Sequence, residues 1–259
     1  MNSSTKLRSG CALLACCAVS AASLSAQVIV SNSMASYTYW DNPAGTYAPP
    51  APLTSVTPSS SLAFAPNNFV ASTSGAGMQF ENQTAILTVD MIANPGMYFS
   101  GEAFGLDVTG SYSMSAPFST SEAVTSVTGS YTLFLQQVDG SPFTSSTPMS
   151  GSLVIAPSSS FSLLGPGGVS GGQWASSLSL DINMIKAHFG IAPASNVTGL
   201  RLQYSSTLNA ASINGSASID TLNVTIANQV VPEPSTYALL ALAASGIAAR
   251  ALRRRRRRR

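Results

Sequence analysis

Between Ser177 and Met184 polar and apolar residues alternate without a break, with Leu178, Leu180, Ile182 and Met184 on one side and Ser177, Ser179, Asp181 and Asn183 on the other. Successive side chains of an extended strand point to opposite faces, so such a segment buries one face and wets the other. The pattern recurs along the chain. Thr84–Ile92 sets Ala85, Leu87, Val89 and Met91 on one face, Thr198–Ser205 sets Leu200, Leu202 and Tyr204, and Thr221–Ile226 sets Leu222, Val224 and Ile226. Further strands are predicted at Val28–Asn32, Ser36–Trp40, Met97–Asp107, Glu122–Val138 (bent at Gly129) and Ser150–Ile155. Strands with one apolar and one polar face are accommodated most simply by two antiparallel sheets packed together. The expected fold is therefore all-β, an antiparallel two-sheet sandwich of jelly-roll-like kind. Asn42–Pro66 and Gly165–Gly172 read as loops, and Asn183–Phe189 as one or two helical turns stopped by Gly190.

Charge supports the same reading. The body of the chain, Gln27–Val230, holds two basic residues, Lys186 and Arg201, against nine acids, a net charge of −7. So few charges leave little material for solvated helix faces, and an acidic body does not steer toward nucleic acid or anionic lipid. All three cysteines, Cys11, Cys16 and Cys17, precede this body. It therefore has no disulfide framework, thiolate metal site or cysteine nucleophile, and its core alone must hold it. At 204 residues it is long enough for one large domain.

The two ends have a different character. Residues 1–26 carry Lys6 and Arg8, then the apolar and small run Cys11–Leu24, then Ser25-Ala26. This is the layout of a secretory signal peptide, cleaved after Ala26 or, alternatively, after Ala22. Near the C-terminus three elements come in succession: Pro232-Glu233-Pro234, the apolar run Tyr237–Ala249, and the arginines Arg253, Arg254, Arg255, Arg256, Arg257, Arg258 and Arg259, with Arg250 just before them. The prolines exclude helix up to Ser235, and Ser235 or Thr236 can cap a helix that begins there. A helix apolar on every face belongs in a core or a membrane, and the terminal arginines select the membrane, with the cluster on the cytoplasmic side. Thirteen residues make only about 20 Å of helix against a hydrocarbon core of about 30 Å. Such a short span suits a segment held briefly and then cut.

In this order, the motif, the short apolar segment and the arginine cluster resemble the PEP-CTERM sorting signal of Gram-negative bacteria, whose bearers are substrates of the membrane-embedded transpeptidase-like enzyme exosortase. The resemblance covers Val231–Arg259. It implies that Pro232, Glu233 and Pro234 are the recognised motif, that Tyr237–Ala249 is a single short transmembrane helix, and that the arginines are a cytoplasmic retention cluster. It places the catalytic residues of sorting in the exosortase. It also implies export by the Sec route, anchoring in the inner membrane before processing, and a final place at the cell surface or in the extracellular polysaccharide matrix. The domain plan is then 1–26 signal peptide, 27–230 secreted domain and 231–259 sorting signal.

Within the body few residues point to chemistry. His188 is the single histidine and reads as structural. Gly168-Val169-Ser170-Gly171-Gly172 matches G-x-S-x-G, but that motif needs a strand before it and a helix after it, and here it sits in a glycine-rich stretch. No cofactor is expected. Glu102, Asp107, Asp181 and Asp220 are the calcium alternative through oxygen ligands, without EF-hand spacing. Trp40 and Trp174, with Tyr37, Tyr39 and Tyr47, are candidate sugar-stacking residues whose plainer role is as core or sheet-face aromatics. Ser218–Thr225 resembles the last strand of jelly-roll carbohydrate-binding modules. The reading is of a non-enzymatic exported protein, partnered by exosortase, by the membrane transiently and by extracellular polysaccharide, and not by nucleic acid. A cell-surface carbohydrate-binding module is the alternative, and a serine hydrolase using Ser170 and His188 a third.

Overall fold

A computed structural model describes residues 28–50, 59–144, 147–166 and 168–233. The expected signal peptide, Pro234, the apolar run Tyr237–Ala249 and the arginine cluster lie outside the described residues. In chain order the elements are β1 (Val28–Ser31), β2 (Ala35–Asn42), β3 (Ser59–Phe64), β4 (Val70–Ala93), β5 (Met97–Ala116) and β6 (Glu122–Val138). Then come β7 (Ser141–Pro142), β8 (Met149–Ser152), β9 (Ile155–Ala156), β10 (Ser160–Leu164), β11 (Gly168–Leu180), α1 (Ile182–Phe189) and β12 (Val197–Pro232). The chain is all-β with a sandwich-like arrangement, as its alternation requires. Among the described residues no helix is long and apolar enough to cross a membrane.

Every part of the sandwich refers to β12. Its 36 residues would measure about 120 Å if straight, at roughly 3.3 Å per residue. Yet Thr198 and Glu233, from its two ends, line one cleft, so the strand folds back on itself. β4 runs along one edge through Gly199–Asp220, and β3 continues that edge through Val224–Gln229. β6 and β5 share the opposite edge, β6 along Val197–Ile213 and β5 along Ser216–Pro232. The first half of β12 thus lies in a layer with β1, β2, β6 and most of β4, and the second half in a layer with β3, β5, β11, β9 and the start of β4, Val70–Gly75. Contacts between halves close the sandwich. The buried Tyr37 hydroxyl of β2 donates to Asn228 Oδ1 of β12 at 3.0 Å, and Tyr39 meets Phe64 of β3 edge to face at 5.1 Å.

The corner is built at Asn214-Gly215. Asn214 has φ 49°, and Gly77 opposite it on β4 has φ 80°, a conformation that favours glycine. The Asn214 side chain accepts from the Gly77 amide at 2.8 Å, while its carbonyl accepts from the Ser121 hydroxyl at 2.8 Å. One residue therefore ties together β4, β12 and the β5–β6 connection. Across the same corner the Glu81 carboxylate accepts from Gln83 Nε2 at 3.0 Å and the Ser72 amide at 2.9 Å, which hold its carboxyl below the usual range.

A bulge inserts one unpaired residue and so exchanges the two faces of a strand. Inward residues of β12 are the even positions from Leu200 to Ser212, the odd positions from Ala217 to Thr221, and the even positions again from Val224 to Val230. The two changes fall at the register shifts Ile213/Gly215 and Thr221/Asn223. Thr84–Ile92 and Thr198–Ser205 present the faces that alternation predicts. Thr221–Ile226 does not. Val224 and Ile226 are fully buried, but Leu222 is 49% exposed because the second bulge turns it outward.

Three other expectations are corrected. The strand expected over Ser177–Met184 ends at Leu180: Asp181 caps α1 by accepting from the Asn183 amide at 2.6 Å, and Gly190 closes it in the left-handed conformation. Met184 is consequently exposed on the helix, while Ile182 and Ile185 are buried. Gly168–Gly172, expected as loop, is strand, because β5 supplies partners from Tyr112 to Ala116 and overrides the weak strand preference of glycine. β3 lies inside the Asn42–Pro66 stretch expected as loop, burying Leu62 and Phe64 against the core.

The bulge makes a specific demand on stability. Leu222→Ser should change the free energy of unfolding by less than about 0.5 kcal/mol, whereas Ile226→Ala should cost about 2–5 kcal/mol. Equilibrium urea unfolding of both variants distinguishes this arrangement from uninterrupted alternation, in which the two would be comparably damaging.

Candidate functional site

The Pro232-Glu233-Pro234 tripeptide of the tail begins inside the sheet. Val230, Val231 and Pro232 stand opposite Phe99, Tyr98 and Met97 of β5. The Glu233 amide then donates to the Gly96 carbonyl at 2.8 Å, in the turn between β4 and β5. That turn is tightened by the Met97 amide donating to Asn94 at 2.9 Å, with Gly96 at φ 78°. Glu233 borders a cleft of about 430 Å3 lined by Asn94–Met97, Gln137, Asp139, Gly140 and Thr198. No linker separates the folded domain from the motif. The last strand read from sequence ends at Ile226, with Ala227–Val231 as a short link; the strand instead continues through Pro232, because the first residues of β5 provide the pairing.

The outer face of the first layer carries the polar group of greatest interest. Arg201 on β12 makes two hydrogen bonds to Asp90 on β4, at 2.6 and 2.9 Å, and Gln136 on β6 donates to the same carboxylate at 3.2 Å. The registers Arg201↔Asp90 and Arg201↔Phe134 put these strands side by side. The guanidinium carbon also sits 5.2 Å from the Trp40 ring centroid on β2. The Asp90 hydrogen bonds push Arg201 above its ordinary range, so it stays charged. Trp40 is half-buried there, with polar neighbours on the same face.

Trp174, the other aromatic singled out from sequence, is a core residue. It is 1% exposed, and its indole N–H donates to the Asp220 carbonyl at 3.1 Å. Its ring covers Gly110 of β5, where an added Cβ would lie 2.3 Å from the indole and 2.1 Å from the Asp220 carbonyl oxygen. Tyr37, Tyr39 and Tyr47 are buried as well. Burial pushes Tyr47 far up and Tyr204 to about 12, so both keep their protons.

Ser170 lies within a strand, opposite Met114, and α1 begins only after the whole of β11. The strand–turn–helix elbow that the G-x-S-x-G pattern requires is therefore not formed. His188 is exposed in the last turn of α1, its ring edge-on to Phe189 at 4.9 Å. Of the carboxylates weighed for calcium, Asp181 caps α1, and Asp220 accepts from the amide and hydroxyl of Ser111, both at 2.8 Å. Among the described residues no three His, Cys, Asp or Glu side chains gather as a metal site. At the corner end, Met78 and Phe80 are 78% and 68% exposed and border a shallow apolar groove of about 330 Å3 with Val124 and Ile213.

The tail matches the PEP-CTERM protein-sorting motif over residues 230–258, which includes Pro232, Glu233 and Pro234. The chain therefore carries that sorting motif. No curated protein matches it. Among solved structures it is similar to the family 11 xylanase from Neocallimastix patriciarum at 13% identity, over 80% of this chain and 95% of that one, with a TM-score of 0.19. It is similar to TmCBM61 in complex with β-1,4-galactotriose at 6% identity, over 67% of this chain and 88% of that one, with a TM-score of 0.18. Likeness at this level bears on neither fold nor activity.

The side chains of the Arg201–Asp90 pair are 39% and 17% exposed, which places it near the upper end of surface ion pairs. Arg201→Met should cost about 1 kcal/mol. The difference from the parent should shrink in about 1 M NaCl, where the Debye length falls to about 3 Å; thermal melts at low and high salt read both effects.

Proposed function

We propose that this chain is a non-enzymatic exported protein that an exosortase sorts through its tail to the cell surface or the extracellular polysaccharide matrix of a Gram-negative bacterium. The observation that carries this reading is the match of residues 230–258 to the sorting motif. The order of its parts adds support: a Pro-Glu-Pro turn, a short apolar run and a terminal arginine block. In this reading the leader directs Sec export and is removed. Tyr237–Ala249 then holds the chain in the inner membrane with the arginines in the cytoplasm, since positive charge next to a span resists translocation. The enzyme cuts near Pro232–Pro234, and the β domain is the cargo. That Ser170 lies within β11, away from any strand–turn–helix elbow, supports a cargo without nucleophilic chemistry at that serine.

Mass spectrometry of the native C-terminus tests this directly. With the host's exosortase present the terminus should fall near Pro232–Ser235, and in the enzyme-deficient strain the tail should be retained. An intact Arg259 in both strains would leave a plain membrane-anchored domain.

A second reading is favoured by Trp40. This ring is partly open on a polar sheet face beside Arg201, Asp90 and Gln136, and sugars bind by stacking on aromatic faces while polar groups fix orientation. In this reading the domain attaches itself to the matrix polysaccharide once released. Pull-down on host exopolysaccharide should retain the domain, and Trp40→Ala should lower retention at least tenfold; equal retention of parent and variant removes this reading.

A further inference from the structure

Each backbone edge of a strand can pair once, and Val231, Pro232 and Glu233 have already used one of theirs. Val231 and Pro232 are in register with Tyr98 and Met97, and the Glu233 amide is bonded to Gly96 at 2.8 Å. These residues overlap the motif that the processing enzyme must take into its own cleft. A peptide enters such a cleft extended, with its main chain free to bond the enzyme. The chain also allows no detour: only Pro234, Ser235 and Thr236 separate Glu233 from the apolar run, a reach of about 10 Å at roughly 3.5 Å per residue.

The last rungs are set apart from the rest of β12. The register shift Asn228/Val230 places a bulge just upstream, where the strand can bend without disturbing the pairs before it. Val230, next to the bulge, is fully buried and anchors the strand. Beyond it Val231, Pro232 and Glu233 are all partly open, and proline contributes no N–H to the ladder. Segments with this combination of partial exposure and depleted hydrogen bonding open locally well before the domain unfolds.

Resting on the sorting reading above, we infer that Val231–Glu233 is a latch: the folded domain holds the first part of the motif, and the enzyme acts on the fraction of chains in which these residues have peeled from Met97 and Tyr98, with the bulge as hinge. When opening is fast compared with cutting, the rate of tail removal tracks the open population. The sheet thus competes with the enzyme for the motif and sets the pace of release.

Pulse-chase of the full-length chain in an exosortase-bearing host, monitoring loss of the tail, tests the latch with two opposed variants. A six-residue Gly-Ser spacer between Val231 and Pro232 frees the motif from the sheet and should speed tail removal about tenfold, the change that corresponds to ~1.4 kcal/mol of opening. Cross-strand locking by Tyr98→Cys with Val231→Cys, verified by thiol alkylation, should nearly abolish removal until reductant is added. The lock also separates the latch from simple crowding at the membrane, because crowding is indifferent to a bond upstream of the motif. Tail removal at the parental rate in both variants would overturn the latch. Retention of the tail by the parent and the spacer variant alike, with enzyme present, would instead overturn the sorting reading itself.

Discussion

One strand supplies the frame on which the other strands are hung. β12 receives β3 and β4 on one edge and β5 and β6 on the other, so bending it bends its neighbours, and two layers arise from one continuous ladder. The bend is possible because Asn214 adopts a left-handed conformation and its side chain and carbonyl bond Gly77 and the Ser121 hydroxyl. With no disulfide available to the body of the chain, the inner faces of this folded ladder carry the stability. Tyr37, Tyr204, Trp174 and the Leu, Val and Ile residues that face one another between the layers fill it. The Tyr37 hydroxyl and the Trp174 indole are directed at Asn228 and Asp220 rather than at solvent.

This arrangement sets the places where the protein meets its surroundings. Folding β12 back brings its start and its end to one end of the sandwich, beside the Asn94–Met97 turn, so the sorting motif emerges directly from the paired end of the sheet. The corner with Met78 and Phe80 is formed by the middle of the same strand, away from the tail. The outer face with Trp40, Arg201, Asp90 and Gln136 lies between, open along the first layer. A domain with so few charges places one of its two basic side chains in a bidentate pair, which fixes that face rather than leaving a free cation for anionic partners.

Much of this was legible in the residues, and the failures are specific. Ala85, Leu87, Val89, Met91, Leu200, Leu202 and Tyr204 point inward as alternation demands, because period 2 is a property of the extended backbone itself. Leu222 fails since alternation carries no notice of a bulge, which depends on how the neighbouring strands are paired. The Asn214-Gly215 dipeptide was a readable signal for a turn or corner. The helical turns read at Asn183–Phe189 and their stop at Gly190 are present, and alternation hid only that Asp181 caps them and Ile182 opens them. Trp174 could not be separated from Trp40 by its neighbours in sequence. Its burial depends on Gly110, which lies far away in the chain and leaves room for the ring.

What the sequence determined by itself was the β class, the acidic cysteine-free body and the sorting address at the tail, because alternation, composition and a short ordered motif are local properties of the chain. What only the tertiary structure decided was which face each segment shows after a bulge, which tryptophan is buried, and that Pro232 and Glu233 are held by the sheet. Those outcomes depend on contacts between residues distant in sequence, Pro232 with Met97 and Asn214 with Gly77 among them, and such pairings exist only once the long strand has folded back.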